Sequence, residues 1–129
     1  MKSILIVEDE AISALLLEKM LGEHFKTESV DNSKECKAQC LKNQFDFIIL
    51  DINLGEDSVD GTELLKSLKT NPNCEKTIFI AMTAYAMPDD EEKYIKMGFD
   101  HYFSKPIIFD VVIKKLLSFG ENKPVRSNS

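Results

Sequence analysis

The sequence predicts an α/β fold in which five parallel strands form one sheet with helices on both faces. Short apolar runs rich in β-branched and aromatic residues alternate with stretches in which apolar residues recur at helical spacing. Three of the short runs are almost continuously apolar, which is typical of strands covered on both faces. Repeated βα units of this kind predict right-handed crossovers and the strand order 2-1-3-4-5 of a doubly wound sheet.

Five strands and five helices are predicted in alternation along the chain. The strands are predicted at Ser3–Val7, Thr27–Val30, Phe45–Leu50, Thr77–Met82 and His101–Phe103. The apolar residues that mark the five helices are, in chain order, Ile12, Leu15, Leu16 and Met20; Cys36, Cys40 and Leu41; Leu64, Leu65 and Leu68; Tyr94, Ile95 and Met97; and Val111, Val112, Leu116 and Leu117.

Residues at the predicted helix ends agree with this pattern. Asn32, with Glu35 three residues later, predicts a start that resembles a capping box. Pro106 is predicted to open the last helix, because proline is favoured in a first helical turn. Gly22 and Gly98 follow helical stretches, where a left-handed C-cap is easiest for glycine.

Length and charge limit the classes of function. The 129 residues suffice for one domain, predicted at 1–119, followed by a polar, aperiodic and therefore flexible tail at 120–129. With 22 acidic and 16 basic side chains the net charge is −6, which disfavours direct binding to nucleic acid or to an anionic membrane. No apolar run reaches the ~20 residues that span a bilayer, and the apolar N-terminal stretch is too short for a signal peptide. We therefore expect a cytoplasmic protein.

Polar side chains stand at the carboxyl ends of four predicted strands. Glu8 and Asp9 follow the first strand, Asp51 the third and Thr83 the fourth, and the fifth runs into Lys105. The ligand crevice of a doubly wound sheet lies at the carboxyl ends of strands 1 and 3. The sequence therefore predicts three carboxylates, one hydroxyl and one ammonium around a single crevice.

These groups suit a phosphoryl group held beside a divalent cation. Clustered carboxylates repel one another unless a cation joins them, and oxygen-only ligands in a partly wet site suit Mg²⁺. Lys105 adds a positive charge for an anion, Thr83 adds a hydroxyl donor, and Asp51 can attack phosphorus to form an acyl phosphate. The alternative is an acidic loop cluster without function.

The chain resembles the receiver domains of two-component response regulators over essentially Met1 to Phe119. It is similar to chemotaxis regulators and to the receivers of hybrid kinases and phosphorelays. The segments that carry the resemblance are Ile4–Glu10 (ILIVEDE), Ile48–Asn53 (IILDIN), Asp60-Gly61, Ile80–Ala84 (IAMTA) and Gly98–Pro106 (GFDHYFSKP). Each segment alone is weakly specific, whereas all five in this order are highly specific. The resemblance implies a flavodoxin-like fold.

The resemblance also implies a role for each residue of the crevice. Asp51 would accept a phosphoryl group from a phosphohistidine, with Thr83 and Lys105 contacting the phosphoryl oxygens. Glu8, Asp9, Asp51 and the backbone carbonyl of Asn53 would hold Mg²⁺, with Mn²⁺ as a substitute. Tyr102 would turn inward with Thr83 as the switch. Asn53 and Tyr85 would tune the lifetime of the phosphorylated state, and the Lys105-Pro106 bond would be cis.

The implied partners are proteins. A histidine kinase or histidine phosphotransfer protein would donate the phosphoryl group, and a downstream target would bind the face made by helix 4, strand 5 and helix 5. A phosphorylation-dependent homodimer is left open. The chain would be a switch in phosphorelay signalling rather than an enzyme, with self-phosphorylation and autodephosphorylation as its only chemistry.

One departure from the family is a loop, residues 52–60, about two residues longer than usual, with glycine at position 55 and added acids at 56 and 57.

Three other functions stay open at this point. A haloacid-dehalogenase-like phosphatase or phosphotransferase would need a second carboxylate two residues after the nucleophile, where this chain has Asn53. A flavodoxin-like cofactor binder would need a phosphate cradle after the first strand, where this chain has Glu8-Asp9-Glu10. The third is a domain of receiver shape that no longer takes phosphate.

Overall fold

A computed structural model of the chain describes residues 1–52, 61–83 and 89–119. Ten helices and strands are found in these ranges. They are β1 (Ser3–Val7), α1 (Ala11–Leu21), β2 (Lys26–Val30), α2 (Ser33–Lys42), β3 (Phe47–Asp51), α3 (Gly61–Lys69), β4 (Ile78–Thr83), α4 (Asp90–Met97), β5 (His101–Ser104) and α5 (Phe109–Ser118). A 3₁₀ turn, Pro72–Cys74, lies between α3 and β4. The predicted tail at 120–129 lies outside the described residues.

The five strands form one parallel sheet in the order β2-β1-β3-β4-β5, which confirms the predicted topology. β1 lies between β2 and β3, with Val7 aligned with Val30 on one side and with Leu50 on the other. β3 continues to β4, where Asp51 pairs with Met82, and β4 continues to β5, where Thr83 pairs with Ser104. This register brings the carboxyl ends of β1, β3, β4 and β5 to the same edge.

Side-chain alternation along the strands divides the apolar core into two layers. One layer packs the α2, α3 and α4 helices against residues such as Leu5, Ile48 and Phe79. The other packs α1 and α5 against residues such as Ile4 and Phe47. Because β1, β3 and β4 are covered on both faces, nearly every residue in them is buried, as their continuous apolar runs predicted.

β1 has the predicted boundaries, whereas each of the other four strands differs from its predicted boundaries by one or two residues. β3 begins at Phe47 rather than Phe45, although the backbone of Asp46 already bonds to Ser3 of β1 and Ile78 of β4. The Phe45 carbonyl accepts from the Thr77 hydroxyl at 2.7 Å, and the Asp46 carboxylate accepts from the Ser3 amide at 2.8 Å. β4 likewise begins after Thr77.

Two of the predicted helix ends are wrong. Pro106 does not open the last helix: α5 begins at Phe109, with the capping position at Ile108. Gly22 ends α1 with right-handed backbone (φ −63°), so it is not the left-handed cap that was predicted. Gly98 does adopt positive φ, +120°, at the end of α4. Asn32 caps α2 as predicted, its side chain accepting from the Glu35 amide at 2.8 Å.

The predicted buried side of α1 is also wrong. Ile12, Leu15 and Leu16 are 74%, 68% and 49% exposed, whereas Leu17 and Leu21 enter the core. Apolar residues occur all around this helix, so spacing alone did not identify the side that faces the sheet. Leu41, Val111 and Leu117 were likewise counted with the apolar face of their helices and are exposed. Across the described ranges, no helix combines the length and apolar character needed to cross a membrane.

Candidate functional site

Glu8 and Asp51 lie side by side at the carboxyl edge of the sheet. Val7 of β1 is aligned with Leu50 of β3, so the next residue of each strand, Glu8 and Asp51, falls at the same level. Both carboxylates are almost fully removed from solvent, with 2% and 3% of their surface exposed. Two buried acids in contact need positive charge or a shared proton, because each disfavours ionisation of the other.

Lys105 supplies positive charge between the two acids. Its ammonium nitrogen Nζ lies 3.0 Å from Asp51 Oδ2 and 3.2 Å from Glu8 Oε2. The backbone of Lys105 is fixed to β4, because its amide donates to the Thr83 carbonyl at 2.8 Å. The following Lys105-Pro106 bond is cis, as the resemblance implied. Charge pairing of this kind at low exposure holds the lysine side chain over the crevice.

The pKa values of Glu8 and Lys105 reflect this crowding. Burial, followed by the hydrogen bond and the charge of Asp51, raises the pKa of Glu8 from its ordinary value of 4.5 to about 7. Burial alone would lower the pKa of Lys105, but the hydrogen bonds and charges of Asp51 and Glu8 together outweigh it, so the Lys105 pKa is raised. At neutral pH the site therefore holds a lysine cation and a Glu8 carboxyl that is only partly ionised.

Asp9 completes an acidic cluster at the mouth of the crevice. Carboxylate oxygens of Glu8, Asp9 and Asp51 all lie within 4.8 Å of one another, and Asp9 is exposed while the other two are buried. Three hard oxygen donors with one side open to water match the ligand preference of Mg²⁺. This ion usually keeps several water ligands and is rarely coordinated by protein atoms alone. The residues present thus fit a divalent cation.

The remaining predicted residues occupy different surroundings. Thr83 is buried at the end of β4, beside the segment that carries Lys105. Tyr102 lies on β5, farther from the crevice, with its ring stacked on Tyr94 at a centroid distance of 5.7 Å. Asn53 and Tyr85, together with the long loop, fall outside the ranges that the structure describes.

Glu10 belongs to the site's supporting structure and was not predicted. Its amide donates to Glu8 Oε1 at 3.1 Å, and its side chain accepts from the Ser13 amide as the N-cap of α1. The available signal was an acidic residue three positions before Ser13 at a helix start. Glu10 therefore couples the orientation of the Glu8 carboxylate to the beginning of α1.

A family model described as the response regulator receiver domain matches residues 4–117. The chain belongs to the response regulator receiver domains. A polar-differentiation response regulator DivK from Brucella anthropi is 33% identical over 119 residues, which cover 92% of this chain and 95% of that protein. This receiver domain is therefore a phosphorylation-activated module of two-component signalling.

Solved receiver structures share its fold. The signal receiver domain of a signal transduction histidine kinase from Syntrophus aciditrophicus is 31% identical, with a TM-score of 0.78 over 94% of this chain and 93% of that one. The receiver domain of sensor histidine kinase PA1611 from Pseudomonas aeruginosa PAO1, solved with magnesium in its active-site cleft, is 24% identical, with a TM-score of 0.79 over 91% and 95%. At 24% identity, the similarity to the PA1611 receiver domain shows a shared fold and nothing more specific.

The family assignment narrows the alternatives that the sequence left open. A haloacid-dehalogenase-like hydrolase and a flavodoxin-like cofactor binder belong to other families, and neither is supported by the match. The remaining questions are which residue accepts the phosphoryl group, which donor supplies it and whether the reaction needs Mg²⁺.

Proposed function

We propose that Asp51 accepts a phosphoryl group from a phosphohistidine of a histidine kinase or histidine phosphotransfer protein, in a Mg²⁺-dependent reaction. The observation that carries this proposal is the contact of Lys105 Nζ with Asp51 Oδ2 at 3.0 Å and with Glu8 Oε2 at 3.2 Å, beside Asp9. Glu8 and Asp51 both contact this cation, and Asp51 is the one at the position that the receiver-domain resemblance identifies as the phosphoacceptor. The proposed domain covers 1–119.

In the proposed transfer, an Asp51 oxygen forms a bond to phosphorus as the bond from phosphorus to the donor's imidazole nitrogen breaks. The imidazole takes up the proton that neutral histidine requires. Glu8, Asp9, Asp51 and the Asn53 carbonyl would hold Mg²⁺, with Mn²⁺ as a substitute, and the metal would neutralise phosphoryl charge. Lys105 pairs with a phosphoryl oxygen in place of Asp51 and helps to stabilise the added negative charge.

The acyl phosphate is lost again when water attacks phosphorus, which regenerates the Asp51 carboxylate and inorganic phosphate. Self-phosphorylation by a small donor and this autodephosphorylation are the only reactions that we assign to the domain. It is therefore a switch rather than an enzyme that acts on a separate substrate.

The phosphorylated state would be read at the face formed by α4, β5 and α5. Thr83, buried at the end of β4, would donate its hydroxyl to the phosphoryl group, and Tyr102 would turn inward behind it. A cavity of about 270 Å³ lies on this face and is lined in part by Tyr102, Ile108 and Val111. Exposed apolar side chains beside it, with Ile108 66% exposed, suit a downstream protein target.

The proposal is tested by incubating the purified chain with acetyl phosphate and Mg²⁺ and measuring its intact mass. We expect a gain of one phosphoryl group that is abolished by a chelator and by Asp51→Asn. Asp110→Asn is a matched control, because Asp110 is an exposed aspartate in the first turn of α5. Equal labelling of the Asp51→Asn variant would refute the assignment, and an unlabelled wild type would favour a receiver that no longer takes phosphate.

Phosphotransfer from a histidine kinase and the response of the output face need separate measurements. A labelled phosphohistidine donor should lose its label to the wild type and keep it with Asp51→Asn. Thr83→Val should take up phosphate while its Tyr102 environment, followed by NMR, changes less than in the wild type. The molecular mass of the phosphorylated wild type and of phosphorylated Thr83→Val, measured by light scattering, tests whether phosphorylation produces a homodimer.

A further inference from the structure

Three buried thiols meet between α2 and the 3₁₀ turn that precedes β4. Cys36, Cys40 and Cys74 are 0%, 0% and 4% exposed. The Cys40 thiol is hydrogen bonded both to Cys36, on its own helix, and to Cys74, on the turn. Cys74 stands 34 positions after Cys40 in the chain, and folding brings these two segments into one buried cluster.

The turn that carries Cys74 is fastened to the end of α2. The Cys40 carbonyl accepts from the side-chain amides of Asn73 at 2.9 Å and Asn71 at 3.2 Å. Asn71 also caps the turn, with its side-chain oxygen accepting from the Asn73 amide. These contacts tie the turn that carries Cys74 to the part of α2 that carries Cys40.

The two cysteines on α2 are poorly placed to join each other. Residues four apart on a helix have Cβ atoms about 5–6 Å apart. A disulfide needs its Cβ atoms about 3.8 Å apart, so a bond between Cys36 and Cys40 would distort the helix. Cys40 and Cys74 lie on different elements, and side-chain rotation or a small shift of the turn can bring their sulfur atoms together.

Cys74 is buried but borders an open cavity. It lines a cavity of about 400 Å³ together with Lys69 and Phe79, and the cavity opens to the surface. Lys69 also places its ammonium 5.6 Å from the centre of the Phe79 ring, which brings positive charge to this wall. The thiolate is the reactive form of cysteine towards peroxides.

We propose that Cys74 is an oxidant-sensitive modification site with Cys40 as its resolving thiol. A hydroperoxide entering the cavity would convert Cys74 to the sulfenic acid, and Cys40 would then close a disulfide between α2 and the 3₁₀ turn. The bond would lie near the amino-terminal edge of the sheet, since the turn leads directly into β4. It is therefore remote from the Asp51 crevice at the carboxyl edge and independent of the proposed phosphorylation.

The two steps balance with the peroxide as the oxidant. In the first, the Cys74 thiolate attacks a peroxide oxygen, the O–O bond breaks and hydroxide or an alkoxide leaves. In the second, the Cys40 sulfur attacks the Cys74 sulfur, the S–O bond breaks, and the hydroxyl leaves with the Cys40 proton as water. Overall the peroxide is reduced by two electrons, and each of the two sulfur atoms is oxidised by one.

The order of the steps follows from the surroundings of Cys40. The hydrogen bond to Cys36, with burial, raises the pKa of the Cys40 thiol to about 12, although the hydrogen bond to Cys74 opposes the change. Cys40 is therefore a protonated thiol at neutral pH and reacts second. We expect the second step to be slow enough for a sulfenic-acid trap such as dimedone to label Cys74.

The test treats the purified chain with hydrogen peroxide and measures thiols in denaturant, intact mass and the linked peptides. We expect the thiol count to fall from three to one, with loss of two hydrogen atoms from the mass and a Cys40–Cys74 linked peptide. Dithiothreitol should reverse these changes, and the oxidised protein should melt at a higher temperature than the reduced one.

Matched variants separate this site from general oxidation. Cys36→Ser should form the same linked peptide, whereas Cys40→Ser should accumulate the dimedone adduct on Cys74. Asn73→Ala should slow disulfide closure by weakening the contact between the turn and α2, and should leave acetyl phosphate labelling unchanged. A Cys36–Cys40 link, an intermolecular disulfide in place of the internal one, or three intact thiols after peroxide would overturn the proposal.

Discussion

Replacing Glu8 by glutamine should stabilise the metal-free protein at alkaline pH. The pKa of Glu8 is raised from 4.5 to about 7, chiefly by burial and then by Asp51. The folded state therefore binds this proton more tightly than the unfolded chain, so the contribution of Glu8 to stability is largest below about pH 4.5 and is lost as pH rises through 7. Glutamine keeps the shape of the side chain and cannot ionise.

The magnitude follows from the pKa change and the local hydrogen bonds. At about 1.4 kcal/mol per pH unit, a rise from 4.5 to about 7 costs the ionised form about 3 kcal/mol. The Glu8 carboxylate accepts from Lys105 and from the Glu10 amide, and glutamine has one acceptor oxygen. Losing one of these bonds costs about 1 kcal/mol. We expect a net gain of roughly 2 kcal/mol in the free energy of unfolding above about pH 8.

Urea denaturation with a chelator present, between about pH 5 and about pH 8.5, measures this difference. The wild-type and Glu8→Gln curves should converge towards the acidic end, where Glu8 is protonated in the folded state. With saturating Mg²⁺ the order should reverse, because the ion binds the folded wild type and stabilises it by mass action.

An exposed glutamate supplies the control for this experiment. Glu92 pairs with Lys96 at 3.1 Å on the surface of α4, with both side chains 71% exposed. Glu92→Gln should change stability by less than about 0.5 kcal/mol at every pH. If Glu8→Gln is no more stable than the wild type at alkaline pH without metal, ionised Glu8 does not carry the inferred cost.

Three further substitutions test the site and the fold by urea denaturation. Lys105→Met should lose about 3 kcal/mol at alkaline pH without metal, since it leaves two buried acids without their cation, whereas Lys96→Met should lose less than about 0.5; equal losses would contradict this reading. Asn32→Ala should cost about 1 kcal/mol because it removes the side-chain acceptor for the Glu35 amide, and an unchanged midpoint would argue against the cap. Gly98→Ala should cost about 1–3 kcal/mol because of its φ of +120°, and a stable variant would show that the turn can relax.

Local sequence was sufficient for the topology and for the place of the site. The runs at β1, β3 and β4 are apolar throughout because both faces of a central parallel strand are covered, and this property can be read without the fold. Parallel strands then bring residues at their carboxyl ends to one edge. The proximity of Glu8, Asp51 and Lys105 follows from strand order and chain direction.

Tertiary packing decided the features that depend on which side of an element is covered. α1 is apolar around its circumference, and only its packing beside α5 selects Leu17 and Leu21 over Ile12 and Leu15. The start of α5 at Phe109 rather than Pro106 depends on how the Lys105 segment is bonded to β4. The contact between Cys40 and Cys74 joins residues that are far apart in the chain. The apolar pattern of the sequence shows which residues can be buried. Which of them are buried, and against which element, is determined by the packing of the complete fold.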